Sequence, residues 1–166
     1  GDNCSSAILV SSNGCSANAA YSNTGINGTL NNPSCFSTGN NNGMWFQFIA
    51  TTQSINITVN GSTLSKVQAA LLSSSTNNCS ANSFTEIACS SSATNTTTIN
   101  YSLLTVGNTY FIYVDGTNNI VGTFQLCVNA LTSPQNDLPC NAISLSANNF
   151  CSNTNAYSNI GSTGET

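Results

Sequence analysis

Apolar and polar residues come in short alternating bursts along this chain, separated by Asn, Gly and Ser clusters that favour turns. In Ser54-Ile55-Asn56-Ile57-Thr58-Val59 the branched apolar residues fall on one side of an extended chain and the polar residues on the other. Met44-Trp45-Phe46-Gln47-Phe48 alternates with Met44, Phe46 and Phe48 inward, which leaves Trp45 on the outer face or under a loop. With this pattern the chain predicts nine strands, near residues 7–10, 19–23, 44–50, 55–60, 67–72, 84–89, 96–101, 109–115 and 122–128. No window holds an amphipathic helix of useful length; the best, residues 66–72, is short and flanked by serines. Short strands without helices to cover a parallel sheet predict an all-β fold, an antiparallel two-sheet sandwich of jelly-roll-like topology.

Periodicity fades after Val128, and residues 131–136, which include Pro134, read as a linker. Residues 137–166 then repeat the opening thirty at an offset of 136: Cys4 falls on Cys140, Leu9 on Leu145 and Cys15 on Cys151. Ala20-Tyr21-Ser22-Asn23 returns as Ala156-Tyr157-Ser158-Asn159, and Gly25 and Gly28 as Gly161 and Gly164. The chain is therefore read as one complete module, residues 1–130, followed by the N-terminal part of a second copy in tandem, residues 137–166.

Composition narrows the function classes. Charged residues are 4% of the chain, against roughly 25% in an ordinary domain. Lys66 is the one base, and Asp2, Glu86, Asp115, Asp137 and Glu165 are scattered singly, so there is no basic footprint for nucleic acid or anionic lipid. Asn, Ser and Thr supply 75 of 166 residues. That share alone would suggest disorder, but apolar runs at strand spacing and a 39% hydrophobic fraction are enough for a core.

Eight cysteines, six of them in the first module, occur without any His and without a C-x-x-C pair, which argues for disulfides rather than zinc. The expected location is extracellular or at the cell surface. The chain opens at Gly1 without a signal-like segment, so a signal peptide is expected upstream or already removed. No apolar run approaches the roughly 20 residues of a membrane span, and no membrane insertion is expected.

Several motifs together carry a family resemblance over residues 1–130 and again over 137–166. They are the opening Gly-Asp-Asn-Cys-Ser-Ser-Ala-Ile, Met-Trp-Phe-Gln-Phe-Ile-Ala, Leu-Thr-Val-Gly-Asn-Thr-Tyr-Phe-Ile-Tyr-Val and Gly-Thr-Phe-Gln-Leu-Cys-Val. In this combination the chain resembles the β-sandwich repeats of large secreted Bacteroidetes proteins, which are similar to the pre-peptidase C-terminal domain. The resemblance implies a jelly-roll-like sandwich in surface adhesins, including gliding-type adhesins exported by type IX secretion, or in appendages of secreted hydrolases. Where such repeats often carry acidic residues before the Trp-Phe strand, this chain has Asn40-Asn41-Asn42-Gly43, a departure at the position where calcium would sit.

The nine residues between Cys79 and Cys89 make that pair the expected local bridge, contributing about 2–3 kcal/mol in the loop-entropy picture. Cys15 with Cys35 would clamp the Asn/Gly-rich segment, leaving Cys4 to meet Cys127. In a rival pattern Cys4 bonds Cys15, and Cys140 bonds Cys151; six cysteines leave 15 connectivities open.

Convergent catalytic groups are nearly absent. There is no His, the single Lys has no marked apolar surroundings, and no close Asp/Glu pair, G-x-S-x-G elbow or P-loop occurs. Sequons at Asn3, Asn27, Asn56, Asn60, Asn78, Asn95 and Asn100 match the roughly eight expected by chance and so say nothing about glycosylation. Asp115-Gly116 reads as a turn; with Asp2 it offers oxygen donors for calcium, but a lone carboxylate makes a poor site. Lys66 and Glu86 invite comparison with Lys-to-Asn cross-links formed beside an acid, although a single lysine reads more simply as an exposed charge. Trp45, Tyr101, Tyr110, Phe111 and Tyr113 form a candidate aromatic platform for sugar rings, with core packing as the plainer alternative.

These observations favour a non-enzymatic extracellular module, repeated in tandem as the stalk or filament of an adhesin, with no cofactor and no metal. Its expected partners are neighbouring modules of the same or identical chains and surface polysaccharide, with residues 137–166 able to complete a neighbour by strand addition. The alternative is a carbohydrate-binding accessory module of a secreted hydrolase.

Overall fold

A computed structural model describes residues 1–132, apart from 29, 31–32, 37–39 and 80–83, together with 144 and 159. The expected second copy, the pairing of Cys140 and Cys151, most of the linker and the strand-addition idea therefore lie outside the described residues.

The described residues form ten strands: β1 (Ile8–Leu9), β2 (Asn13–Cys15), β3 (Tyr21–Ser22), β4 (Met44–Ile49), β5 (Ser54–Gly61), β6 (Val67–Ser74), β7 (Phe84–Ser91), β8 (Thr96–Tyr101), β9 (Thr109–Gly116) and β10 (Thr123–Leu131). Among the described residues the helical pieces are two 3-10 turns, Cys4–Ser6 and Thr117–Asn119. All nine predicted strands are present. β2 was not predicted, because Asn13-Gly14-Cys15 carries no apolar alternation.

Two sheets result. The first runs β1-β4-β9-β6-β7, and the second β2-β10-β5-β8, with β3 also pairing with β10. All pairs are antiparallel except β1 with β4. The exception has a geometric cause. Residues 8–15 pass from one sheet to the other: Val10 N donates to Gln47 O at 2.9 Å, and Ala130 N donates to Ser12 O at 2.7 Å. A segment that joins both sheets without reversing runs parallel to β4 in the first and antiparallel to β10 in the second.

The sheets share one apolar core, giving a sandwich-like arrangement. Met44, Phe46 and Phe48 of β4 and Ile112 and Val114 of β9 meet Ile55, Ile57 and Val59 of β5 and Phe124, Leu126 and Val128 of β10. The alternation of β5 is realised, with its three branched residues at most 1% exposed. Tyr21, on the short β3, closes the side of this core edge-on to Phe46 at 4.8 Å between ring centroids. Each such fully buried side chain contributes about 1.5–3 kcal/mol over its exposed state.

The first sheet is buried on its other face as well. Trp45, Ala70, Leu72, Phe111 and Tyr113 form a second cluster with Cys4 and Phe36, packed also by Ala7, Leu30, Cys35, Cys79, Phe84 and Cys89. Residues 1–7 and the described part of 26–43 thus act as a cover over β4, β9 and β6. This explains the unbroken apolar run Tyr110-Phe111-Ile112-Tyr113-Val114, since a strand buried on both sides has no polar face.

Candidate functional surface

The cover is held by bridges other than those the sequence suggested. Cys4 bonds Cys79, Cys35 bonds Cys89 and Cys15 bonds Cys127. A Cys79 to Cys89 bridge fails because β7 is extended. Cys79 falls in the connection between Ser74 and Phe84, whereas Cys89 stands opposite Ala70, five residues down the ladder from Phe84, and each cysteine is taken by a partner on the cover. Cys15 and Cys35 part because β2 belongs to the second sheet and Cys35 to the cover. Cys15 instead stands opposite Cys127 in the β2–β10 register. The rival Cys4 to Cys15 bridge is excluded by the same separation of cover and second sheet. Two of the three bridges therefore tie the cover to the β6–β7 side of the first sheet.

Side chains complete the fastening. Ser34 N donates to Glu86 Oε2 at 2.7 Å, and the Ser34 hydroxyl bonds the other carboxylate oxygen. Glu86 stands opposite Leu72, whereas Lys66 precedes β6 at its far end, so the register separates this acid from the lysine. Lys66 itself is half-buried. The Tyr113 hydroxyl lies 2.8 Å from the carbonyl oxygens of both Gly28 and Asn40, sharing one proton between two acceptors of the cover. Gly28 and Gly43 form a bridge directly above it, and a Cβ on Gly43 would collide with the Tyr113 ring. Burial, reinforced by the nearby Asp115 carboxylate, pushes the Tyr113 phenol above its ordinary range.

Asp115 and Gly116 are the last residues of β9 rather than the turn itself, and the reversal comes at 117–119, where Asn118 and Asn119 take φ of 59°. Asp115 is 1% exposed. Its carboxylate accepts from Gly116 N at 2.7 Å, Asn42 N at 3.3 Å and Asn23 Nδ2 at 3.3 Å. Burial raises its pKa to about 6 despite these three donors. The acid thus pins the start of β4 and residue 23 to the end of β9; its oxygens already serve backbone and amide donors.

The aromatic platform does not form. Trp45, Phe111 and Tyr113 are at most 3% exposed and lie beneath the cover, where Trp45 packs at 5.1 Å from both Phe84 and Tyr113. Tyr110 points into the main core and its hydroxyl accepts from Thr105 N at 2.9 Å; Tyr101 is half-buried against that core. The five rings are divided between two faces of one sheet and the rim of the other.

Among the described residues, no segment packs over the outer face of the second sheet as the cover does over the first. Strand register lines up Asn13, Asn129, Asn56 and Asn100 in one row, Cys15, Cys127, Thr58 and Thr98 in the next, and Gln125, Asn60 and Thr96 in a third. Asn56 Nδ2 donates to Asn100 Oδ1 at 2.8 Å, the Thr58 and Thr98 hydroxyls meet at 3.3 Å, and Thr96 Oγ1 donates to Asn60 Oδ1 at 3.3 Å. No charged side chain stands in these rows. Neighbours are spaced by about 4.8 Å across the strands and about 6.7 Å along them. The signal lies in the sequence as the polar half of the β5 and β8 alternation.

Three disulfides point to a non-cytoplasmic protein. Among the described residues no helix is long and apolar enough to cross a membrane, and no group of three or more His, Cys, Asp or Glu gathers as metal ligands. No family model, curated protein or solved structure matches the chain.

Proposed function

We propose that this chain is a non-enzymatic extracellular structural and adhesive module, a jelly-roll-like sandwich repeated in tandem to build the stalk or filament of a cell-surface adhesin. The observation that carries this reading is the path of the chain. Gly1 O accepts from Trp45 N at the start of β4, whereas Leu131 pairs with Ser54 at the opposite end of the sandwich. The eight-residue β5 spans that distance, about 25 Å. A module entered at one end and left at the other strings naturally into a line. The internal sequence repeat, the similarity to secreted sandwich repeats and the disulfides support the same conclusion. The uncharged rows of the second sheet supply a lateral contact face with little long-range repulsion between neighbours.

A carbohydrate-binding accessory module of a secreted hydrolase is the second reading, favoured by those Asn and Thr rows. Electron microscopy of the native, non-reduced protein, coupled to its intact mass, separates the two. Long particles with a mass of many repeats support the stalk. A compact particle with one or two such modules beside a larger domain would sink it and direct the search to a glycan array.

A further inference from the structure

The exit end of the module carries three of the five exposed large apolar side chains among the described residues. Leu103 is 78% exposed and Val106 56%, both in the loop between β8 and β9, and Ile49 at the end of β4 is 52% exposed. Leu103 and Val106 border a shallow recess of about 410 Å³ lined by Gln53, Ser102, Leu103, Leu104, Thr105 and Val106. The loop is not free to swing, because Leu104 N donates to Gln53 O at 2.9 Å and Leu104 is buried in the core as its anchor. Gln53 directly precedes Ser54, the partner of Leu131, so the apolar tip stands beside the point where the chain leaves β10.

The residues after Leu131 fix the occupant. Only residues 132–136 separate it from Asp137, where the second copy begins; five extended residues reach about 18 Å at most. At the offset of 136, Leu138 and Pro139 stand where the first copy has Asp2 and Asn3. Asp2 and Asn3 are exposed at the entry end of the first module. A polar pair is thus replaced by an apolar pair in the copy whose opening is tethered beside an apolar recess. We infer that the Leu103 and Val106 tip is the docking seat for the opening of the next module, with Leu138 and Pro139 as the residues that cover it. Such a seat converts a flexible string of sandwiches into a stiff one. The short tether keeps the local concentration of the second copy high, so a small patch is enough.

This inference rests on the tandem reading, and the test separates the two. Hydrogen exchange is monitored by mass spectrometry in the full chain, comparing wild type with Leu103→Asp/Val106→Asp and with Val121→Asp as an exposed apolar control at the entry end, just before β10 begins. The expected result is slowed exchange in the 137–144 peptide, accelerated about tenfold by the double substitution and unchanged by the control, with residues 44–61 as protected as before. Exchange at 137–144 that is already unprotected in wild type, or is indifferent to the double substitution, overturns the seat even if microscopy shows a long stalk. Protection that grows with protein concentration overturns it too, since a separate chain would then cover the tip. A compact single-module particle by microscopy defeats the stalk itself, whatever the exchange shows.

Discussion

The two outer faces of this molecule are opposites. The first sheet hides Trp45, Phe111 and Tyr113 under a cover held by two disulfides and by Glu86 and Asp115, while the second sheet leaves rows of Asn and Thr open. The same strand grammar produces both, since alternate residues point to opposite sides. The difference is what the off-core positions hold: aromatic side chains that demand burial, or amides and hydroxyls that water satisfies. The covered face is therefore a stability element and the open face a wetted one, and substitutions on the two should behave differently.

The largest effects belong to the cover. Replacing Cys35 and Cys89 by Ala opens a bridge that spans 54 residues and should lower unfolding stability by about 4 kcal/mol, read by denaturant titration. Trp45→Ala removes the centre of the covered cluster and should cost about 3–5 kcal/mol. A Trp45→Ala variant as stable as wild type would mean that the ring is exposed after all and would revive the sugar platform. Gly43→Ala drives a methyl group into the Tyr113 ring; a loss of about 1–3 kcal/mol is expected, with weakened protection of residues 26–43 by hydrogen exchange.

Asp115 adds a pH dependence of determinate sign. Its pKa is raised from 3.8 to about 6 in the folded state, so between those values the native protein binds more protons than the unfolded chain. Stability should accordingly fall as pH rises from about 4 to about 6 and then level off. Asp115→Asn should remove that slope in urea midpoints measured across the interval, although it also loses an acceptor for Asn42 N. On the open face, Asn56→Ala and Thr98→Ala should change stability by no more than about 0.5 kcal/mol. A large loss at either position would erase the contrast between the faces.

Much of this arrangement was legible in the sequence because it depends on local periodicity. β5 announced its buried and wet sides, and Met44, Phe46 and Phe48 announced theirs. Trp45 was correctly placed outside the main core, with a loop above it as one of two options. Asp115 continues the series Phe111, Tyr113, Asp115 on the covered face, a signal masked by the resemblance of Asp-Gly to a turn. The bridges were not legible. Cysteine partners are chosen by tertiary approach, and nothing in the spacing of Cys4, Cys35, Cys79 and Cys89 reveals that residues far apart in the chain meet over the first sheet. β2 was equally silent, because Asn13-Gly14-Cys15 becomes a strand only through its pairing with β10.

The cover is the central claim, and its two bridges test it most directly. Peptide mapping of the native protein under non-reducing conditions should recover Cys4 linked to Cys79 and Cys35 linked to Cys89, with Cys15 linked to Cys127. A peptide joining Cys79 to Cys89 would contradict the account, because a bridge local to that segment leaves nothing to fasten the cover over Trp45 and Tyr113.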